Sequence, residues 1–208
     1  MEILCGKQST HLDGVALRQR IAGYSTCQID LGTGDGRFVH QMATRHPTTF
    51  VIGIDACRDQ LRANSRHAPP NALYVIANAL ALPSELAEVA THLTINFPWG
   101  SLLAGLLAND EQATSYLLAH MRPGAQLELR LNGGALAEQG WSLECGAARA
   151  RQRLRSAGFD LRAPIVMDAH ALRAYPTTWA KRLAFGRDPR AIALHGGLRT
   201  DTREICGP

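Results

Sequence analysis

The chain has 208 residues, 46% of them hydrophobic and 19% charged, with a formal net charge of +4 and a pI near 9.0. That balance suits one soluble domain with a full core and excludes a disordered or fibrous chain, and every apolar run falls short of the roughly 18 to 20 residues that cross a bilayer. Cys5, Cys27, Cys57, Cys145 and Cys206 are scattered without a CxxC pair, and the opening MEILCGKQSTHLDG has no secretory pattern, so a cytoplasmic protein without disulfides or bound metal is expected.

Residues 1–20 alternate weakly, EILCGKQ and then HLDGVAL, which predicts an N-terminal hairpin. CQIDLGTGDG (27–36) is a strand entering a glycine-rich turn, and residues 37–47 a helix stopped by Pro47. Residues 49–56 form the next strand, 57–68 a helix ended by Pro69-Pro70, 72–80 a strand, and 84–90 a short helix with Ser84 as its N-cap. HLTINFP (92–98) repeats the strand pattern, 102–122 reads as one or two helices, and PGAQLELRLN (123–132) as a strand behind a Pro-Gly turn. Such alternation implies βαβ crossovers and a parallel sheet with helices on both faces. Beyond it come an Arg-rich helix (145–157), a strand (164–170), a turn into a short helix (175–186) and a last strand (191–196), whose close spacing predicts an antiparallel finish.

The first strand ends in Asp30-Leu31-Gly32-Thr33-Gly34-Asp35-Gly36, a G-x-G-x-G spacing. Glycines let the backbone turn sharply beside a ligand. The dinucleotide fingerprint is G-x-G-x-x-G, and an acid at Asp30 would repel a pyrophosphate yet suit a cationic amino-acid moiety, which points to S-adenosylmethionine, with S-adenosylhomocysteine as product. Asp55, with Ala56, closes the next strand 25 residues on, where a carboxylate can accept from both ribose hydroxyls. Asn78, Ala79 and Leu80 end the third strand, beside the adenine ring. These strand ends predict a Rossmann-like class I methyltransferase fold in one domain over 1–208. Its sheet is seven-stranded and mostly parallel, with an antiparallel C-terminal strand.

The fourth strand end is Asn96-Phe97-Pro98-Trp99, similar to the N-P-P-[FYW] motif with which amino-methylating enzymes hold a nucleobase nitrogen while an aromatic ring stacks on the base. Trp179, in Thr177-Thr178-Trp179-Ala180-Lys181-Arg182, is a second ring among hydroxyls and cations, whereas Trp141 reads as packing. Charge is lopsided. From Arg149 to Arg203 the chain carries twelve of its 22 Lys and Arg residues against Asp160, Asp168, Asp188, Asp201 and Glu204, so this third is about +7 and the rest about −3. That asymmetry suits a polyanion partner, although the run from Arg149 to Arg155 can equally be a solvated helix face.

Taken together the residues resemble the aminoglycoside-resistance methyltransferases that modify N1 of adenine 1408 of 16S rRNA and confer kanamycin and apramycin resistance. The likeness runs from Gly6-Lys7 through DLGTGDGR, GIDA, NFPWGSLL and RPGAQLELRLN to TTWAKRLAFGRDPR, of which PWGSLL and T-T-W-x-[KR]-R-L are the specific parts. The resemblance implies a cofactor pocket at Gly32, Asp55, Ala79, Leu80, the run Pro98, Trp99, Gly100, Ser101, Leu102 and Leu103, and Thr177 to Trp179. It implies a flipped adenine between Trp99 and Trp179, Thr177 at the base edge, and rRNA phosphates of the 30S subunit on Lys7, Arg182 and Arg187, with Arg190 beside them. Two other readings stand: a methyltransferase for tRNA or for adenine N6, and a non-catalytic RNA-binding or cofactor-sensing protein of the same fold.

Overall fold

The computed structural model describes residues 1–109 and 112–200, the side chain of Gln112 apart; Asp201, Arg203, Glu204 and Cys206 lie outside the described residues. Five strands, β3 (Thr26–Leu31), β4 (Thr49–Asp55), β5 (Ala72–Ile76), β6 (Ala90–Asn96) and β7 (Met121–Asn132), form a parallel sheet in the order β5-β4-β3-β6-β7. Their near-continuous apolar runs, such as Phe50 to Ile54, suit strands covered on both faces. The crossovers are α2 (Arg37–Arg45), α3 (Arg58–Ser65), a short 3₁₀ turn (Ser84–Leu86), and the pair α4 (Gly100–Leu107) and α5 (Gln112–His120). Chain order reverses between β3 and β6, and ligands of open α/β sheets bind in the crevice beyond the strand ends at such a switch point.

The last strand, β10 (Ala191–Leu198), runs antiparallel to β7, as the close spacing of the final strands predicts. The seventh position of the sheet, outside β10, is shared by two short strands, β8 (Phe159–Leu161) and β9 (Ile165–Met167). Arg162, Ala163 and Pro164 separate them opposite only Leu194 and His195, so this edge bulges where proline lacks a ladder donor. At the other edge, β1 (Glu2–Cys5) and β2 (Gln8–His11) form the expected hairpin, attached through Ile3 opposite Val75. The described sheet therefore has ten strands instead of seven.

Several boundaries differ from expectation for local reasons. The second hairpin strand is Gln8–His11, because Asp13 accepts from the Ala16 N–H at 2.8 Å and starts α1 (Gly14–Ile21). The helix expected over 84–90 is the 3₁₀ turn alone, with Pro83 and not Ser84 in the cap position. The strand expected over 164–170 stops at Met167, since Asp168 caps α8 (Ala169–Ala174). Neither β8 nor α6 (Gly133–Glu138) is anticipated; Asn132 starts α6 by accepting from the Ala135 N–H at 2.8 Å.

The Arg-rich helix is α7 (Leu143–Ser156), capped by Ser142. Arg149 and Arg151 donate to the Leu107 and Leu161 carbonyls, so part of this basic run holds the fold. Trp141, which reads as packing, is 37% exposed. One face of the sheet packs Leu17, Ile29, Leu93, Leu129 and Leu154 into the main core. The opposite face carries two smaller clusters, one with Val39, Leu61 and Tyr74, the other with Phe97, Leu172 and Ala180 of α9 (Thr178–Ala184). No helix among the described residues is long and apolar enough to cross a membrane.

Candidate active site

The glycine turn after β3 and the Phe97-Pro98-Trp99 segment after β6 flank the switch point. Asp55, at the end of β4, binds two neighbouring turns: its carboxylate accepts from the Gly34 N–H and from the Cys57 N–H, each at 2.8 Å. A cavity of about 300 Å³ opens there. Asp30 and Asn96 form its floor, Gly32, Thr33 and Gly34 one wall, and Thr177, Thr178, Trp179 and Arg182 the other. The insertion between β9 and β10, carrying α8 and α9, thus closes over the strand ends.

Beneath this floor lies a buried polar chain. Asp30, 1% exposed, accepts from the Thr94 hydroxyl and from the Asn96 amide, each at 2.8 Å. Asn96 Oδ1 accepts from Arg130 at 3.1 Å and from the Tyr175 hydroxyl at 2.8 Å, and Arg130 also pairs with Glu128 at 2.6 Å. With a carboxylate on one side and two donors on the other, only one orientation of the Asn96 amide satisfies every partner. Burial raises the Asp30 carboxyl to about 6; hydrogen bonds from Thr94 and Asn96 and the charge of Arg130 oppose the shift. Burial likewise pushes the Tyr175 phenol up, so it stays a neutral donor.

Phe97 follows in the left-handed region, with φ of 54°, and is buried. Such a backbone costs a bulky residue about 1 to 3 kcal/mol and persists only where its surroundings enforce it. Here the Phe97 N–H donates to the Arg130 carbonyl at 2.9 Å and the ring meets Tyr175 edge-on. The kink turns Trp99 out to the rim. The Trp99 and Trp179 rings lie 5.6 Å apart between centroids and 18° from parallel, with the residues 41% and 44% exposed. The Arg182 guanidinium stands 5.5 Å from the Trp179 ring centre.

Of the residues expected at the site, Asp30, Gly32, Thr33, Gly34, Asn96, Thr177, Thr178 and Trp179 meet at the cavity, and Trp99 meets Trp179 at its rim. Asp55 stands behind the turn, and Ala56, Asn78, Ala79 and Leu80 occupy the adjoining ends of β4 and β5, with the Leu80 N–H held by Asn78 Oδ1 at 2.9 Å. Gly100 and Ser101 are exposed at the start of α4, while Pro98 is buried. Some expectations need correction. Gly36 does not line the cavity; it is buried against Tyr74. Leu103 is 1% exposed and belongs to the main core, and Leu102 packs beneath Gly32. Thr177 keeps its place in the cavity wall, and its oxygen also accepts from the Ala180 N–H at 2.9 Å, which caps α9.

The Asn96 amide has no free acceptor for a nucleobase nitrogen. Among the expected phosphate contacts, Lys7 sits at the exposed hairpin turn, Arg182 is exposed against the Trp179 indole, and Arg187 is exposed after α9. Arg190 differs: Asp188 and Glu144 already neutralise it.

A family model described as NpmA, 16S rRNA (adenine(1408)-N(1))-methyltransferase, matches residues 2–198. The chain belongs to this family. It is 30% identical to the 16S rRNA (adenine(1408)-N(1))-methyltransferase of Escherichia coli over 94% of this chain and 98% of that protein. The enzyme of that name from Streptoalloteichus hindustanus is 29% identical over 95% and 99%. Among solved structures, the 16S rRNA methyltransferase KamB superposes with a TM-score of 0.87 at 27% identity over 96% of this chain and all of that one, and the aminoglycoside-resistance methyltransferase NpmB1 with 0.78 at 33% over 95% and 98%.

In this methyltransferase the sequence did not single out Asp35, Phe38 and Gln60, which also line the cavity. Asp35 sits inside the glycine motif, where its charge could have marked it. Phe38 and Gln60 carry no signal of their own, being ordinary positions on helices that the sheet brings to its edge. Nor did the motif point to Arg130 or Tyr175, which reach Asn96 from strands and turns distant in sequence.

Proposed function

We propose that this chain is an S-adenosylmethionine-dependent methyltransferase that modifies N1 of an adenine extruded from 16S rRNA, the base its relatives' names give as 1408. We further propose that residues 1–208 act as one catalytic domain on the cytoplasmic 30S subunit and confer resistance to aminoglycosides such as kanamycin and apramycin. The observation that carries the reading is the pair of exposed, near-parallel indoles at the mouth of the cavity. Buried apolar packing does not explain two half-exposed tryptophans eighty residues apart meeting face to face.

The donor set fits the cofactor. A buried carboxylate under a glycine-rich turn suits a cationic amino-acid group; beside the cavity, Asp55 suits ribose hydroxyls and the apolar Leu80 a purine edge. S-adenosylmethionine, when bound, supplies an electrophilic methyl group. Adenine N1 has an in-plane lone pair, so the chain needs to align it and requires no general base. Extruding a base costs a few kcal/mol and each aromatic face returns about 1 to 3 kcal/mol, so two rings offset what one would not. The indole faces also favour the cationic charge that develops on the methylated ring. A base between them needs about 3.4 Å on either face, the stacking distance of duplex DNA, so the rings part as it enters. The saturated Asn96 amide argues against exocyclic amine methylation, which would need that oxygen as an acceptor.

Primer extension on small subunits treated with protein and cofactor tests the reading. A single reverse-transcription stop at the decoding-site adenine is expected; read-through on subunits that have taken up methyl groups would indicate N6 instead, and no methyl uptake would leave a binding protein. Arg187→Ala is expected to weaken subunit binding and to reduce its salt slope by about one, against an unchanged slope if Arg187 touches no phosphate.

Protonation of Asp30 supplies a pH test. A folded value near 6, above the ordinary 3.8, means that the native state holds this proton more tightly than the unfolded chain does. The Asp30 contribution to stability therefore falls as pH rises through that window and is level above it. Cofactor affinity runs the other way, because a cationic ligand selects the ionised acid. Calorimetric titration from about pH 5 to pH 8 is expected to find binding that tightens through about 6 and then levels, with Asp30→Asn removing the dependence. Equal pH dependence in that variant would exclude Asp30 as the cause.

A further inference from the structure

The insertion that carries Trp179 is tied to the sheet at two points, one on each side of the switch point. Between its two helices, the Tyr175 hydroxyl donates to Asn96 Oδ1 at 2.8 Å, at the end of β6. The Tyr175 ring stacks on Phe38 at 5.8 Å, meets Phe97 edge-on at 6.1 Å and receives the Arg130 guanidinium at 4.1 Å from its centroid. Three residues later, the Thr178 hydroxyl donates to Asp35 Oδ2 at 2.6 Å, in the glycine turn after β3. The other Asp35 oxygen accepts from the Arg37 N–H at 3.1 Å and so fixes the start of α2. Trp179 directly follows the second tie, and Trp99 lies three residues beyond the partner of the first.

Resting on the proposed sandwich of the base, we propose that Tyr175 and Thr178 are positioning residues that set Trp179 against Trp99. Tyr175 holds the insertion to the strand end that bears Trp99, and Thr178 holds it to the turn that meets the cofactor. Neither hydroxyl needs to touch a substrate for this. Both act on the register of the indoles, and the Thr178 tie makes that register depend on the shape of the glycine turn. A hydroxyl donating to a carboxylate is among the stronger hydrogen bonds, and the Asn96 acceptor is buried, so both ties resist replacement by water.

The test uses the full chain with Trp141→Phe, which leaves Trp99 and Trp179 as its only indoles. Indoles in contact couple as excitons, giving a couplet in circular dichroism whose sign and size are set by the distance and skew between their transition moments, and Trp179→Phe serves as the control that removes it. Tyr175→Phe, which keeps the ring, and Thr178→Val, which keeps the shape, are each expected to weaken the couplet and to lower kcat about three- to tenfold, the worth of one net hydrogen bond. Tyr175→Phe is expected to leave the KM for S-adenosylmethionine unchanged, because Tyr175 lies outside the cavity wall, and Thr178→Ser is expected to restore both signals. An unchanged couplet in both variants overturns the proposal, as does a lost couplet with unchanged methylation of 16S rRNA. If Tyr175→Phe does not fold, Thr178→Val with its serine rescue decides alone. If the wild-type chain methylates no rRNA, the proposed function fails, while the couplets still report whether the ties hold the indoles.

Discussion

Alanine at either Trp99 or Trp179 is expected to abolish methylation of 16S rRNA with folding nearly intact, and Trp99→Ala, outside the cavity wall, with cofactor binding nearly intact as well. Each residue is more than 40% exposed, so truncation leaves no cavity in the core and costs little stability. The loss appears in turnover. One missing face forfeits about 1 to 3 kcal/mol of stacking against an extrusion cost of similar size. A base held on one side only also loses alignment with the methyl donor, and misplacement of about 1 Å alone can cost a hundredfold. Together these predict a fall of at least about a hundredfold in kcat/KM, while phenylalanine, a smaller face, should retain part of the activity. Methyl incorporation into small subunits measures this, alongside calorimetry of the cofactor; wild-type turnover in either alanine variant would remove the sandwich.

The second large effect is expected at Gly36→Ala, on stability. Gly36 has φ of +72°, and a Cβ there would stand 2.5 Å from Cε1 of Tyr74. Tyr74 is 1% exposed in the cluster beneath α2 and α3, and its hydroxyl donates to the Gly36 carbonyl at 3.3 Å, so the ring has nowhere to retreat. Left-handed strain of about 1 to 2 kcal/mol adds to overpacking of about 1 to 3 kcal/mol. A chain of this size then melts roughly 5 to 15 °C lower. Gly34→Ala is the contrast. Its φ is also positive, +60°, but the nearest atom to a new Cβ is the mobile end of Gln60 at 3.5 Å, so only the backbone strain applies. Equal melting points for the two variants would mean that Tyr74 yields after all.

Much of this architecture was legible because its signals are periodic and local. Apolar runs ending in Asp30, Asp55 and Asn96 marked three parallel strands, and a sheet of that topology brings their ends to one edge whatever lies between. The indole pair was legible from two short motifs. What escaped is what depends on tertiary company. Whether Asn96 offers its oxygen to a base depends on Arg130 and Tyr175, neither of them near it in sequence. The third glycine of the motif reads as room for a ligand, yet it makes room for a tyrosine two strands away. Thr177, expected at the base edge, lines the cavity and also caps α9, a second role that only the helix geometry shows. The strand β8 was missed for a simpler reason: three residues are too few to display a period.

The resting contact between Trp99 and Trp179 makes the protein its own competitor. Any visiting ring must first replace an indole that already covers its neighbour, and a free nucleoside brings nothing else with which to win that exchange. Folded 16S rRNA brings an array of backbone charges, for which the exposed Lys7, Arg182 and Arg187 are the proposed partners, and can spend that attraction on separating the rings. Loose adenosine and its nucleotides, abundant in any cell, would thereby be refused without a dedicated gate, and methyl groups would not drain into them.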